Sequence, residues 1–147
     1  MPTLNTDQWK ALLKSTKFFE VFDDNEVDKI VSCSDLLHFS MHKYIIKQNE
    51  KDFSFYVIVK GNANVIRKTA SATDKKLLTI NTGECFGEMA IITKKPRKNF
   101  IIAASDCYVI KINVATIDSF AEPIQLKLYK QFSTVLVARL LKLGVAD

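Results

Sequence analysis

The sequence predicts an α+β chain: a small antiparallel β-barrel of jelly-roll type, flanked by N-terminal and C-terminal helices. Three observations predict it. Apolar residues recur at helical spacing near both ends of the chain. From about Leu36 to Ile112 the period shifts towards two, in short runs rich in β-branched and aromatic residues. Turn-prone residues separate many of these runs, as evenly spaced strands of a barrel or sandwich require.

The N-terminal part, 1–34, holds two helical patterns. Trp9, Leu12 and Leu13 begin the first, which reaches about Phe18 and Phe19. Asp23 followed by Glu26 announces the second, a carboxylate cap with a partner that reaches back, and Val27, Ile30 and Val31 follow at helical spacing. Strands are expected over Tyr44–Ile46, Phe55–Val59, Ala63–Ile66, Leu77–Ile80, Phe100–Ala103 and Cys107–Ile112. Lys60-Gly61-Asn62 reads as a tight hairpin and Asn81-Thr82-Gly83 as a further turn. Ile117 to Phe120 suits a short helical turn. Pro123 then fits the first position of a last helix running to about Leu143, before Gly144. Along it Leu128, Phe132, Val135, Leu136, Leu140 and Leu143 line one face. The expected organisation is one domain over 1–147, with the barrel at 36–112 and the last helices at 115–143.

Length and composition are those of an ordinary globular domain: 147 residues, 48% hydrophobic and 25% charged. No apolar run approaches the roughly 20 residues of a membrane span, and the first residues lack the basic start and apolar stretch of a signal peptide, which points to a cytoplasmic chain. Cys33, Cys85 and Cys107 are odd in number and widely spaced, so reduced thiols are expected, without disulfides or a zinc site. Much of the net charge of +5 sits in Lys94, Lys95, Arg97 and Lys98, with Lys75 and Lys76 near a turn. Such a patch suits nucleic acid, a small anionic ligand or plain solvation; the lysines are read as solvated surface. His38 and His42 stand four apart in a strand-like region with no third ligand at suitable spacing, so they are read as solvent-facing, with no metal. Phosphate-loop, dinucleotide and hydrolase motifs are absent, and the reading is a non-enzyme.

The segment from Phe86 to Arg97 carries the chemistry. Gly87 lacks a Cβ, so a ligand can approach its backbone, and Glu88, Met89, Ala90 and Ile91 suit a short helical turn with N–H groups aimed at an anion. Arg97 can grip a phosphate with two parallel hydrogen bonds, whereas ionised Glu88 can only accept them and suits a hydroxyl. These residues resemble the phosphate-binding cassette of the cyclic nucleotide-binding domain family, to which the catabolite activator protein and the regulatory subunits of cyclic-AMP-dependent protein kinase belong. The family pattern is roughly F-G-E-[LIM]-[AG]-[LI]-x-x-x-x-P-R-x-A-x-V-x-A, and this chain has F-G-E-M-A-I-I-T-K-K-P-R-K-N-F-I-I-A. The F-F pair at Phe18 and Phe19, followed by Phe22 and Glu26, is similar to the family's N-terminal helical segment.

The resemblance implies a regulatory sensor that binds a cyclic purine mononucleotide, cyclic AMP before cyclic GMP, and signals through its last helix. Gly87 and Ala90 would present N–H groups to the cyclic phosphate, Arg97 would pair with it, and Glu88 would hold the ribose 2′-hydroxyl; Phe86 and Met89 flank them. Tyr129, Phe132 and Arg139 are the candidates to cap the base. Two departures bear on the ligand: Lys98 and Asn99 stand where the family has small residues. Asn49 and Asp52 replace turn glycines, and both residue types tolerate positive φ. The alternative is a degenerate member acting as a protein-interaction module without tight binding. A homodimer or an effector reached through the last helix are the expected protein partners. DNA binding is disfavoured, because the residues after Phe120 suffice for one helix and not for a helix-turn-helix unit.

Overall fold

A computed structural model describes residues 4–68, 70–71 and 73–144. The chain opens with α1 (Thr6–Lys14), capped by Asn5 in a reciprocal box with Gln8. The helical pattern does not run on to Phe19. Ser15 and Thr16 turn their hydroxyls back onto the carbonyls of Leu12 and Leu13, and a separate 3₁₀ turn, Lys17–Phe19, follows. Helix α2 (Asp24–Ser32) starts at the expected box: Asp23 accepts from the Glu26 N–H, and Glu26 accepts from the Asp23 N–H.

Eight strands follow: β1 (Asp35–Phe39), β2 (Tyr44–Ile46), β3 (Ser54–Lys60), β4 (Ala63–Lys68), β5 (Asp74–Ile80), β6 (Cys85–Phe86), β7 (Phe100–Ala103) and β8 (Cys107–Asn113). They form two antiparallel four-stranded sheets, in the orders β1-β8-β3-β6 and β2-β7-β4-β5. The sheets stay separate, so the jelly-roll is a sandwich and not a closed barrel. Lys60-Gly61-Asn62 is accordingly not a hairpin: β3 and β4 lie in different sheets, and the turn carries the chain from one to the other. Gly61 is required there, at φ 103° with an added Cβ only 2.3 Å from the Asp106 carbonyl oxygen.

Two cores share β3. Phe55, Val57 and Val59 face the helices, joining Trp9, Leu13, Phe18, Phe19, Val27 and Ile30. Tyr56 and Ile58 face the other sheet, joining Ile46, Val65, Ile80, Phe86 and Ile101. Burial on both faces explains why the strand reads as a continuous apolar run instead of alternating. Asn49 takes positive φ (69°) as expected, but Asp52 does not. Its carboxylate instead accepts a hydrogen bond from the Tyr56 hydroxyl. His42 is exposed as expected but lies in a turn and not in a strand, at φ 72°, with its N–H donating to the Ala103 carbonyl of β7. His38, on β1, is exposed as well, with its ring against Tyr108 and its Nε2 3.7 Å from Asp106.

Between β6 and β7 the chain forms α3 (Glu88–Thr93), and after β8 it forms α4 (Val114–Ser119) and α5 (Glu122–Lys142). Pro123 occupies the second position of α5, where its missing N–H is equally harmless. The apolar stripe of α5 does not serve one surface. Ile124, Leu128 and Phe132 are buried in the helical core, whereas Leu140 and Leu143 are exposed, Leu143 by 72%. Among the described residues no helix is long and apolar enough to cross a membrane, no group of three metal-ligating side chains forms, and the three cysteines are free.

Candidate functional site

Strand β6 delivers Phe86 to the inter-sheet core, where its ring stacks on Tyr56 at 5.0 Å and an interplanar angle of 2°. This stack anchors the start of α3. Gly87, at φ 87°, caps that helix in the left-handed region, and a Cβ there would lie 2.9 Å from the Ser54 carbonyl oxygen and 3.0 Å from Arg97 Nη1. Glycine is therefore needed to bring the backbone against the guanidinium. Arg97, ten residues on, is buried: Nη1 donates to the Gly87 carbonyl at 2.8 Å and Nη2 donates to the Ser54 carbonyl. Asp52 stands 3.6 Å from Nη2, and Lys111 lies 4.0 Å from the same carboxylate. Arg97 Nε is buried without a hydrogen-bond partner. Backbone bonds from Asn49 to the Arg97 carbonyl and from Arg97 to the Glu50 carbonyl fix the β2–β3 turn to this position.

Glu88 is only 2% exposed. Its Oε1 accepts from Arg139 Nη1 at 2.7 Å, and Arg139 Nη2 donates to the Cys85 carbonyl, so the far end of α5 is tied to the first turn of α3. Glu88 Oε2 is buried with no partner. That oxygen is an acceptor in need of a donor. Beneath it, burial pushes the Cys85 thiol well above the ordinary range, with the Glu88 charge adding to the effect, so this cysteine stays a neutral packing residue.

These side chains line a cavity of about 490 Å³, a size suited to a small organic ligand. Phe86, Gly87, Glu88, Met89, Ala90, Arg97, Lys98, Asn99 and Arg139 all border it. Met89 is exposed at its rim. Asn99 accepts a hydrogen bond from Arg67 Nε at 3.3 Å. Tyr129 and Phe132 do not reach it. Phe132 is packed against Phe18 and Phe55 in the helical core, and Tyr129 lies edge-on to Phe132 a turn away from the cavity. The residues of α5 that do border it are Leu136, Arg139, Leu140 and Leu143. Sequence reasoning missed Arg67, Asp52 and these leucines as cavity or cradle residues. Neither the leucines nor Arg67 carried a signal, because the leucines share the periodicity of the core-facing residues of the same helix. A second cavity, about 740 Å³, lies on the other side of α5, and Leu78, Arg139 and Leu143 border both.

The profile of the cyclic nucleotide-binding domain matches residues 36–123, more than half of the chain and the whole of this cradle. The chain belongs to the cyclic nucleotide-binding domain family. It is 29% identical over 108 residues to cGMP-dependent protein kinase 2 of Homo sapiens, an alignment covering 71% of this chain and 14% of the kinase. It is 28% identical over 113 residues to the cAMP-dependent protein kinase regulatory subunit of Mycosarcoma maydis, covering 77% of this chain and 21% of that subunit. Among solved structures, the regulatory domain of Toxoplasma gondii PKA with cAMP superposes with a TM-score of 0.71 at 24% identity, over 87% of this chain and 49% of that one. The chain thus spans a small part of the length of these curated relatives.

Proposed function

We propose that this chain is a regulatory, non-catalytic sensor module that binds a cyclic purine mononucleotide, cyclic AMP in the first place, and passes occupancy on through α5. The observation that carries the reading is the partnerless Glu88 Oε2 in the same cavity wall as the Gly87–Arg97 cradle. One ligand satisfies both: a ribose hydroxyl donates to Oε2, while the cyclic phosphate takes the N–H groups of Gly87 and Ala90 and the charge of Arg97. Leu136, Leu140 and Leu143 cover the base. Arg139 supplies the link to output, because it holds Glu88 from α5 and any ligand on Glu88 alters that grip. A ligand shifts the helix only by its difference in affinity for the two helix positions, and contact with the cap supplies that difference. Occurrence of the relatives among kinases makes a cytoplasmic setting and a kinase-type effector the natural context.

One observation favours the alternative of a module without tight ligand binding. Both Nη atoms of Arg97 already bond to Gly87 and Ser54 beside Asp52, and Glu88 Oε1 is held by Arg139, so a ligand must improve on bonds the chain makes with itself. Calorimetric titration with cyclic AMP and cyclic GMP separates the two readings. Removing a buried charged partner costs about 2–5 kcal/mol, so Arg97→Ala should weaken binding by roughly one and a half to nearly four powers of ten. Arg97 also props the β2–β3 turn, so circular dichroism must show the variant folded. Equal affinity of wild type and folded Arg97→Ala would sink the assignment.

A further inference from the structure

The charge on the cavity wall exceeds what a cyclic mononucleotide, with one negative charge, can use. Five cationic side chains border the cavity (Arg67, Lys95, Arg97, Lys98 and Arg139) against the single carboxylate Glu88. Arg139 is matched by Glu88 and Arg97 by Asp52. Arg67, Lys95 and Lys98 make no ion pair with a carboxylate among the described residues. They are also not scattered. Strand β4 pairs with β7 so that Ile66 faces Phe100, which sets Arg67 beside Asn99, and the Arg67 Nε–Asn99 bond fixes the guanidinium at that end of the cavity, next to Lys98.

The sheet adds a second observation. In the β4–β5 register Arg67 stands directly opposite Lys75. Directly opposed residues of an antiparallel pair share a face, and like charges there destabilise the pairing. Lysines on the edge strand β5 discourage pairing with another strand, and an anion seated between Arg67 and Lys75 would relieve their repulsion.

We propose that Arg67 and Lys98 on the cavity wall, with Lys75 opposite Arg67 just beyond it, form a second anion subsite at this end of the cavity, and that the chain prefers a nucleotide carrying two separate phosphate groups, such as a cyclic dinucleotide. One phosphate occupies the Gly87–Arg97 cradle; the other lies at the end of the cavity where β4 meets the entry to β7. The proposal rests on the cyclic-phosphate cradle read above and extends it: cyclic AMP remains the first choice among mononucleotides, and a second phosphate on the ligand adds affinity. Asn99 then acts as the positioning residue for Arg67 rather than as a bystander.

Calorimetry at about 0.15 M salt, where exposed charges more than ~8 Å apart are largely screened, decides the matter with cyclic AMP and cyclic di-AMP as probes. Wild type should bind cyclic di-AMP roughly tenfold or more tightly than cyclic AMP, as charge-assisted hydrogen bonds to a second phosphate imply. Arg67→Gln with Lys75→Gln should bring the ratio of the two affinities towards one. A wild type that binds cyclic AMP at least as tightly as cyclic di-AMP overturns the second subsite and leaves the mononucleotide reading standing. A preference that survives the double substitution also overturns it. Binding of neither probe overturns the mononucleotide reading and this proposal with it.

Discussion

Replacing Arg139 by alanine tests the tie between α5 and the cradle most directly. The substitution strands Glu88, which is 2% exposed and would keep neither its ion pair nor a hydrogen bond to Oε2. Breaking a buried pair from one side typically costs about 3–5 kcal/mol. The Arg139 side chain retains 24% of its exposure, so the lower end applies, about 3 kcal/mol. Urea unfolding at pH 7 should therefore show a penalty of about 3 kcal/mol for Arg139→Ala. The double variant Glu88→Gln with Arg139→Ala should recover most of that loss, because no charge is then left unpaired. A penalty under about 0.5 kcal/mol, the ordinary size for a surface substitution, or a double variant no more stable than the single one, would refute the argument that α5 neutralises a buried carboxylate.

Gly87→Ala places a Cβ at φ 87° against Ser54 and Arg97; it should cost about 1–3 kcal/mol of stability and weaken nucleotide binding, read by thermal melting and calorimetry. Phe132→Ala should lower stability by about 3–5 kcal/mol, whereas Leu140→Ala, exposed at the cavity rim, should change stability by about 0.5 kcal/mol or less and act on affinity. Swapped outcomes in urea melts and titrations would mean that the cap has been assigned to the wrong residues. Native protein treated with a thiol reagent at pH 8 should react promptly at Cys33 alone, since Cys33 is exposed while burial pushes the thiols of Cys85 and Cys107 up. Prompt modification of a second thiol would count against the packing of β6 or β8.

Local rules made much of this fold legible. The Asp23–Glu26 box, the six apolar runs that became strands and the turn at Gly83 each depend on neighbours in sequence. Strand β6 escaped notice because two residues, Cys85 and Phe86, carry no periodicity. The hairpin expected at Gly61 failed for a different reason: a glycine turn between two strands says nothing about whether they pair, and here β3 pairs with β6 and β8 while β4 pairs with β5 and β7. The cradle was visible as a motif because Gly87, Glu88 and Arg97 lie within eleven residues of one another. The pairing of Arg97 with Asp52, 45 positions before it, and of Glu88 with Arg139, 51 positions after it, became visible only through tertiary packing. Helical spacing likewise could not divide α5, since Phe132 and Leu140 obey the same periodicity while one lies in the core and the other at the cavity.

That division gives α5 the mechanics of a cantilever. Its root, from Ile124 to Phe132, is clamped by the helical core, and its free end stands between two cavities that share Leu78, Arg139 and Leu143. Deflecting the tip disturbs the Arg139 contacts and some rim packing, with no aromatic ring withdrawn from the core. The rim leucines of the tip can thus change at little expense to the stability of the fold, whereas the Arg139 tie that holds the tip against buried Glu88 cannot.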